Sequence, residues 1–273
     1  MGLALNDNIP ARIIQTGKSR DLPLLAKAAV ANLKSLNPDF EYLFFDDADV
    51  STFIDQKFPQ YRQAFDAFQF NIQRYDFFRY LAVYHYGGFY FDLDVLLASG
   101  VEELLTSSCV FPFEQLSINQ FLRTRHGLDY EIGNYAFGAA RGHPFLKAII
   151  ENCLRSQTDA AWVAPMLQNI PPFFRSEYYV LNTTGPGLVS RTLVENPAQA
   201  KSVTILFPDD VCDEKQWRQF GHFGVHLMDG SWRTQGNFIY RRLGCLWEDR
   251  TMKRLLVKSR QLGRTRKQPH ELH

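Results

Sequence analysis

The sequence predicts an α/β fold with a central, mostly parallel sheet, and three observations lead to that prediction. Short apolar stretches alternate with amphipathic ones, an order typical of strands joined by crossover helices. The 273 residues are 45% hydrophobic, which is enough for a substantial core. Near residue 90, a glycine pair leads into an apolar strand that ends in acidic residues.

The first half of the chain alternates between strand and helix patterns. β-branched and aromatic runs predict strands, apolar residues three and four apart predict helices, and glycine or proline marks where they end. A glycine pair, for example, follows the helix predicted to end at residue 86. The predicted elements are the strand 11–16, helix 22–36, strand 41–47, helix 48–58, helix 71–86 and strand 89–94.

The second half continues with fewer regular repeats. Strands are predicted at 109–114, 134–140 and 203–208, and helices at 144–155 and after the TTGPG sequence that ends at residue 187. The segment Arg250–Lys267 holds eight Lys or Arg and no acid, and predicts an amphipathic helix with a basic tail. We expect one domain over 1–249 and a basic C-terminal helix and tail over 250–273. A solvated terminal helix and weak contact with an anionic membrane surface are both compatible with this tail.

Composition excludes several functional classes. With 30 basic and 29 acidic residues, the formal net charge of +1 argues against a nucleic-acid-binding protein. The four cysteines form no C-x-x-C pair, so we expect reduced thiols. The N-terminal residues lack the pattern of a signal peptide, and no run approaches the ~20 apolar residues of a membrane helix. We therefore expect a cytoplasmic location, with peripheral contact at the inner membrane face or secretion as an effector as alternatives.

Two acidic residues, Asp92 and Asp94, end an apolar strand that is otherwise suited to burial. Side chains two apart on a strand face the same side, and two close carboxylates repel unless a cation or a proton joins them. Ligands of α/β sheets bind at the carboxyl ends of strands. The pair therefore predicts a site for a hard divalent cation, completed by water and phosphate oxygens.

The preceding helix adds charged residues to an apolar surface. Asp76 and Arg79 share one stripe of a helix that is apolar on its other faces. One interpretation is a buried structural ion pair. The other is that both side chains reach the cleft beside the aspartates and bind sugar hydroxyls or phosphate.

Together these residues form a motif. The segment RYDFFRYLAVYHYGGFYFDLDV (74–95) resembles the signature of glycosyltransferase family 32, the DXD-motif sugar transferases of yeast mannosylation and bacterial capsule or lipopolysaccharide synthesis. The resemblance extends in order over roughly residues 9 to 235. It implies a GT-A type fold and retaining transfer of a hexose from a UDP- or GDP-sugar, assisted by Mn²⁺ or Mg²⁺, to a glycan, glycolipid or protein acceptor.

The resemblance also implies roles for individual residues. Asp94 would bind the metal directly, Asp92 would help to hold it and contact the donor, and His226 would approach it from the C-terminal side. Asp76 and Arg79 would bind the donor sugar, and Arg79, with the metal, would act in catalysis by stabilising the negative charge on the departing diphosphate. The other implied donor-site residues are Gln15, Thr16, Tyr90, Asn134, Ser231 and Trp232.

Alternatives remain open at the level of sequence. His226 is as compatible with a core histidine as with a metal ligand. The segment YFDLDVLL also fits haloacid-dehalogenase-type phosphatases, in which Asp92 would be the nucleophile and Asp94 the acid/base. A third possibility is a domain that binds sugar nucleotides without turnover. Donor base, sugar, acceptor and linkage depend on loop shape and are not predicted.

Overall fold

A computed structural model of the protein describes residues 8–227, 247 and 250–257. A seven-stranded sheet has the order β2-β1-β3-β7-β5-β6, with β8 also paired to β5, and a three-stranded sheet has the order β4-β10-β9. The strands are β1 (Arg12–Thr16), β2 (Glu41–Phe45), β3 (Gly88–Phe91), β4 (Val95–Leu97), β5 (Cys109–Leu116), β6 (Tyr130–Ile132), β7 (Ala136–Ala139), β8 (Val203–Leu206), β9 (Gln219–Phe220) and β10 (Gly224–His226).

Helices cover the large sheet and fill the connections between its strands. Their bounds are α1 (Leu24–Leu36), α2 (Asp47–Lys57), α3 (Arg62–Ala67), α4 (Asn71–Tyr86), α5 (Gln120–His126), α6 (Pro144–Thr158), α7 (Ala160–Leu167), α8 (Arg175–Thr183), α9 (Pro186–Glu195) and α10 (Pro197–Ala200).

The direction of the strands agrees with the predicted sheet. β1 is parallel to β2 and β3, and β5 is parallel to β8, while β7 lies antiparallel between β3 and β5. β6 is antiparallel to β5. Five strands of the large sheet therefore run in one direction and two run against them, which confirms the predicted mixed, mostly parallel α/β architecture.

Helix α4 is the buried helix that the sequence predicts. It packs against β1, β3 and β7 and against α6 and α8, and nine of its residues are buried. The stripe of the helix that carries Asp76 and Arg79 lies on its buried side, away from solvent. Asp76 and Arg79 are each only 4% exposed. They are therefore stable there only if other groups compensate for the loss of hydration.

The glycine pair after α4 has the conformation expected of a helix stop. Gly87 has φ +68° and donates its N–H to the Val83 carbonyl, which ends the helix. Gly88 has φ +110°, and a Cβ built on it would lie 2.6 Å from the carbonyl oxygen of Arg12 in β1. Only glycine lets β3 pass this close to β1.

Replacing Gly88 should be costly for two reasons. In Gly88→Ala the added methyl group collides with backbone atoms of Arg12, and the positive φ of this position is unfavourable for alanine. The free energy of unfolding should therefore fall by about 2–4 kcal/mol. Gly142 has φ +74° with nothing within 4 Å of its Cβ position, so Gly142→Ala serves as the control for φ alone. Urea unfolding of both variants measures the difference, and equal losses would contradict the close contact.

One predicted boundary is wrong. Strand β3 ends at Phe91, so Asp92 and Asp94 lie in the turn between β3 and β4 rather than on the strand. The Asp92 N–H donates to the Tyr135 carbonyl (2.7 Å), and the Asp92 carbonyl accepts from the Val95 N–H (3.2 Å). This second hydrogen bond closes a turn, and it ends the ladder that the apolar sequence would otherwise continue.

The C-terminal part is described only in places. Residues 250–257 are helical, and Met252 and Leu256 are buried in one cluster with Phe113 and Trp217. The rest of the predicted basic tail, from residue 258 onward, lies outside the described residues, and the domain boundary after residue 249 stays a prediction. No helix in the described part of the chain is long and apolar enough to span a bilayer.

Candidate metal and donor site

The turn after β3 and the strand β10 bring three potential metal ligands together. β10 pairs antiparallel with β4, which places His226 opposite Val95, the residue after Asp94. The His226 Nε2 atom lies 3.2 Å from an Asp94 carboxylate oxygen. One ligand atom from each of Asp92, Asp94 and His226 lies within 4.8 Å of the other two. The two aspartates predicted to share a site are therefore joined by the histidine that the family resemblance implied.

The donor set fits a divalent cation. Carboxylate oxygens and an imidazole nitrogen are ligands of Mn²⁺, and these three side chains are only partly exposed. The His226 ring stacks on Tyr135, with centroids 4.4 Å apart and planes at 15°, which fixes its orientation. Burial lowers the pKa of His226, but the Asp94 and Asp92 carboxylates outweigh this, so the pKa is raised overall. Its Nδ1 atom is buried and has no hydrogen-bond partner among the described residues.

Arg79 connects helix α4 to the DXD turn. The Nη1 atom of Arg79 lies 3.2 Å from an Asp92 oxygen and donates to the Asn134 carbonyl at 2.8 Å. The Nη2 atom lies 3.2 Å from an Asp76 oxygen. Burial raises the pKa of Asp92, and Arg79 opposes that rise. The structure therefore shows the buried ion pair of the first interpretation, in which Arg79 also contacts Asp92 of the candidate site, while the binding of sugar hydroxyls or phosphate by Asp76 and Arg79 stays a prediction.

A buried polar network supports Asp76 from the other side. Its carboxylate accepts from the Thr184 hydroxyl (2.8 Å) and from the Asn134 amide (3.1 Å), and the same amide donates to the Tyr80 hydroxyl (2.9 Å). Burial raises the pKa of Asp76 to about 6, against the opposing charge of Arg79. Because these groups satisfy one another, the network sets the position of Arg79.

Three other predicted donor-site residues make hydrogen bonds to the DXD turn or to the neighbouring backbone. Tyr90 is buried, and its hydroxyl donates to an Asp92 oxygen at 2.9 Å. The Gln15 amide lies 3.3 Å from the Phe91 carbonyl and 3.4 Å from that of Asp92, and Thr16 donates to a carbonyl of β2. In this structure all three side chains therefore support the backbone or the aspartate.

Some predicted residues cannot be placed, and others were missed. Ser231 and Trp232 lie outside the described residues. The sequence does not indicate the contacts of Thr184, which lies just before a predicted helix, or of Tyr80, which lies inside the motif. A threonine or a tyrosine in an apolar stretch carries no distinctive signal until its buried acidic partner is known.

A comparison with protein families identifies the region around this site. Residues 23–111 match the family described as "Glycosyltransferase sugar-binding region containing DXD motif". This region belongs to the DXD glycosyltransferase family. The family resemblance predicted from the motif is confirmed, and the matched region contains Asp76, Arg79 and both aspartates of the motif.

Two of the curated relatives that this chain matches come from yeasts. Inositol phosphoceramide mannosyltransferase 2 of Schizosaccharomyces pombe is 33% identical over 57% of this chain and 41% of its own length. Mannosyl phosphorylinositol ceramide synthase SUR1 of Saccharomyces cerevisiae is 29% identical over 67% of this chain and 41% of its own. The chain thus spans less than half the length of either relative.

The PaToxG glycosyltransferase aligns with 70% of this chain and 71% of its own, at 15% sequence identity and a TM-score of 0.49.

Proposed function

We propose that this protein is a metal-dependent, retaining glycosyltransferase that moves a hexose from a nucleotide-diphosphate sugar to a glycan, glycolipid or protein acceptor. The observation that carries the proposal is the cluster of Asp92, Asp94 and His226 inside and beside a region of the DXD family. Imidazole is a common ligand of transition metals and a rare one of Mg²⁺, so we propose Mn²⁺ as the cation.

The chemistry asked of this chain is mainly electrostatic. Cleavage of the anomeric C–O bond builds positive charge on the sugar and negative charge on the departing diphosphate. A bound Mn²⁺ would supply a Lewis acid for that negative charge. Asp92, Asp94 and His226 would hold the cation, and Arg79 with Tyr90 would fix the rotamer of Asp92. Retention is proposed to follow front-face attack by the acceptor, because Asp76, the nearby third acid, is enclosed by its own partners.

The names of the relatives suggest the substrate class. Two of them are named for mannosyl transfer to inositol phosphoceramides. We propose by analogy that a mannosyl or related hexosyl nucleotide, with either GDP or UDP as carrier, is the donor, and that a glycolipid is the first acceptor to test. The predicted cytoplasmic location and the predicted membrane contact of residues 250–267 stay predictions.

A thermal-shift screen of nucleotide sugars tests the proposal directly. Ligands that bind only the folded state stabilise it by mass action, so a donor at about 100 times its Kd should raise the melting temperature by about 5–10 °C in the presence of Mn²⁺. Little shift is expected without Mn²⁺. A screen in which no nucleotide sugar shifts the transition with Mn²⁺ would contradict the proposed function.

The same samples separate the proposal from the phosphatase alternative. Slow Mn²⁺-dependent hydrolysis of the stabilising nucleotide sugar is expected of a transferase without an acceptor. Hydrolysis of p-nitrophenyl phosphate instead would favour the haloacid-dehalogenase interpretation of Asp92 and Asp94. Binding without any turnover, also when candidate acceptors are added, would favour a silent sugar-nucleotide-binding domain.

A further inference from the structure

Tyr135 contacts both chain segments that carry the candidate metal ligands. It precedes β7, and the antiparallel pairing of Phe91 with Ala136 places it opposite Asp92. The Tyr135 carbonyl accepts the Asp92 N–H at 2.7 Å. Its ring stacks on His226, with centroids 4.4 Å apart. One residue therefore holds the DXD turn through its backbone and the histidine through its side chain.

The His226 ring has a different support from that of most metal-binding histidines. In most metal sites the ring nitrogen that does not bind the metal donates to a carboxylate, a backbone carbonyl or a water. Here Nε2 is the atom beside Asp94, at 3.2 Å, and Nδ1 is buried without a hydrogen-bond partner in the part of the chain that the structure describes. The plane of the imidazole is therefore set by the face of the Tyr135 ring instead of by a second hydrogen bond.

The Tyr135 ring is itself held firmly in place. It is buried in a core cluster shared with Phe91, Val95 and Phe220, which come from both sheets. A ring in a close-packed core has little freedom to shift. Gly133 lets the ring fold back over the chain, because a Cβ at that position would lie 2.6 Å from a ring carbon. A ring fixed in this way can orient a second ring that stacks on it.

We infer that Tyr135 is a positioning residue that orients His226 and Asp92 for the cation before the cation binds. The inference rests on the proposed function, in which these side chains hold Mn²⁺. Ligands that are already in place need little rearrangement on binding, and loss of such support typically lowers metal affinity by about 10- to 100-fold. The Tyr135 hydroxyl takes no part, since it is buried and has no hydrogen-bond partner among the described residues. The family resemblance assigns no role to Tyr135.

Binding of Mn²⁺ alone to the full chain tests the inference without turnover. The EPR signal of free, hydrated Mn²⁺ measures the Kd. Tyr135→Phe keeps the ring and removes only the hydroxyl, so its Kd should equal that of the wild type. Tyr135→Leu keeps an apolar side chain but offers no ring face, so its Kd should rise by about tenfold or more. A wild-type Kd in Tyr135→Leu would overturn the inference.

A double-mutant cycle separates positioning from a general loss of stability. In the His226→Ala background, Tyr135→Leu should change the Mn²⁺ Kd by less than about twofold, because the ring has no imidazole left to orient. The control is Phe53→Leu, which removes a buried ring from the other large core cluster. It should lower stability and leave the Kd unchanged. If Tyr135→Leu raised the Kd equally in both backgrounds, its effect would not depend on the histidine and the inference would fail.

NMR of the His226 ring protons detects the stack itself. Protons above an aromatic face are shifted upfield, and loss of the signals in His226→Ala assigns them. The upfield shift should persist in Tyr135→Phe and disappear in Tyr135→Leu. A wild-type spectrum without this shift would overturn the inference, whatever the Mn²⁺ affinities. A wild type that shows the stack but binds no Mn²⁺, with or without a nucleoside diphosphate, would contradict the proposed metal site itself, and the inference would fall with it.

Discussion

The Asp94→Asn variant should lose Mn²⁺-dependent hydrolysis and transfer of the nucleotide sugar by about three orders of magnitude or more. The amide keeps the shape of the side chain but removes the negative charge that would bind the cation and hold it against the diphosphate. Loss of several kcal/mol of transition-state stabilisation corresponds to about this factor in rate. Initial rates with saturating Mn²⁺ measure the effect.

The fold should survive this substitution. In the absence of metal, Asp92 and Asp94 repel one another, and removing one charge relieves that repulsion while losing the contact with His226. We expect the free energy of unfolding to change by no more than about 1 kcal/mol. Asp39→Asn, at an exposed turn residue, is the control for the chemical change itself. Full activity of Asp94→Asn with Mn²⁺ present would refute the assignment of the metal site.

The sequence predicts the frame of this site well because its signals are local. The apolar surface of α4, its glycine stop and the alternation of strands and helices depend on residues close together in the chain. They identify α4 and β3 without knowledge of the rest of the molecule. The end of β3 was predicted wrongly because the turn closed by the Val95 N–H and the Asp92 carbonyl contains no glycine or proline that would mark it in the sequence.

The parts of the site built by distant contacts are less accessible from sequence. His226 reaches Asp94 only because β10 pairs with β4, and no periodicity in the sequence indicates that pairing. The family resemblance supplied the histidine, and the structure supplied the reason for its position. The contact of Thr184 is equally hard to predict from sequence, because its hydrogen bond to Asp76 joins residues 108 positions apart. The family resemblance assigned Thr184 no role.

Arg79 offers the second large effect, this time on stability. Its side chain is 5% exposed, and its guanidinium lies between Asp76, whose side chain is 6% exposed, and Asp92. Arg79→Leu keeps the position apolar but replaces the arginine with a shorter side chain that leaves two carboxylates without their cation. Breaking a buried pair in this way costs about 3–5 kcal/mol, so urea unfolding near neutral pH should show a loss of that size.

The pH dependence of the loss distinguishes charge from packing. Burial already raises the pKa of Asp76 to about 6, and without Arg79 the pKa should rise further. Because the folded-state pKa of Asp76 lies above the unfolded value of about 3.9, proton binding stabilises the folded protein at pH values below about 3.9. This contribution disappears as the pH rises through the folded-state pKa. The difference between Arg79→Leu and the wild type should therefore be largest near neutral pH and shrink toward about pH 4.

Lys147→Ala is the matched control, because Lys147 pairs with Glu151 at 3.9 Å on the exposed face of α6, where both side chains are about 60% exposed. Such surface pairs on a helix contribute about 0.3–0.5 kcal/mol. If Arg79→Leu lost no more stability than Lys147→Ala, the network around Asp76 would not depend on the guanidinium. A loss that stayed constant with pH would assign the effect to packing of the arginine stem instead.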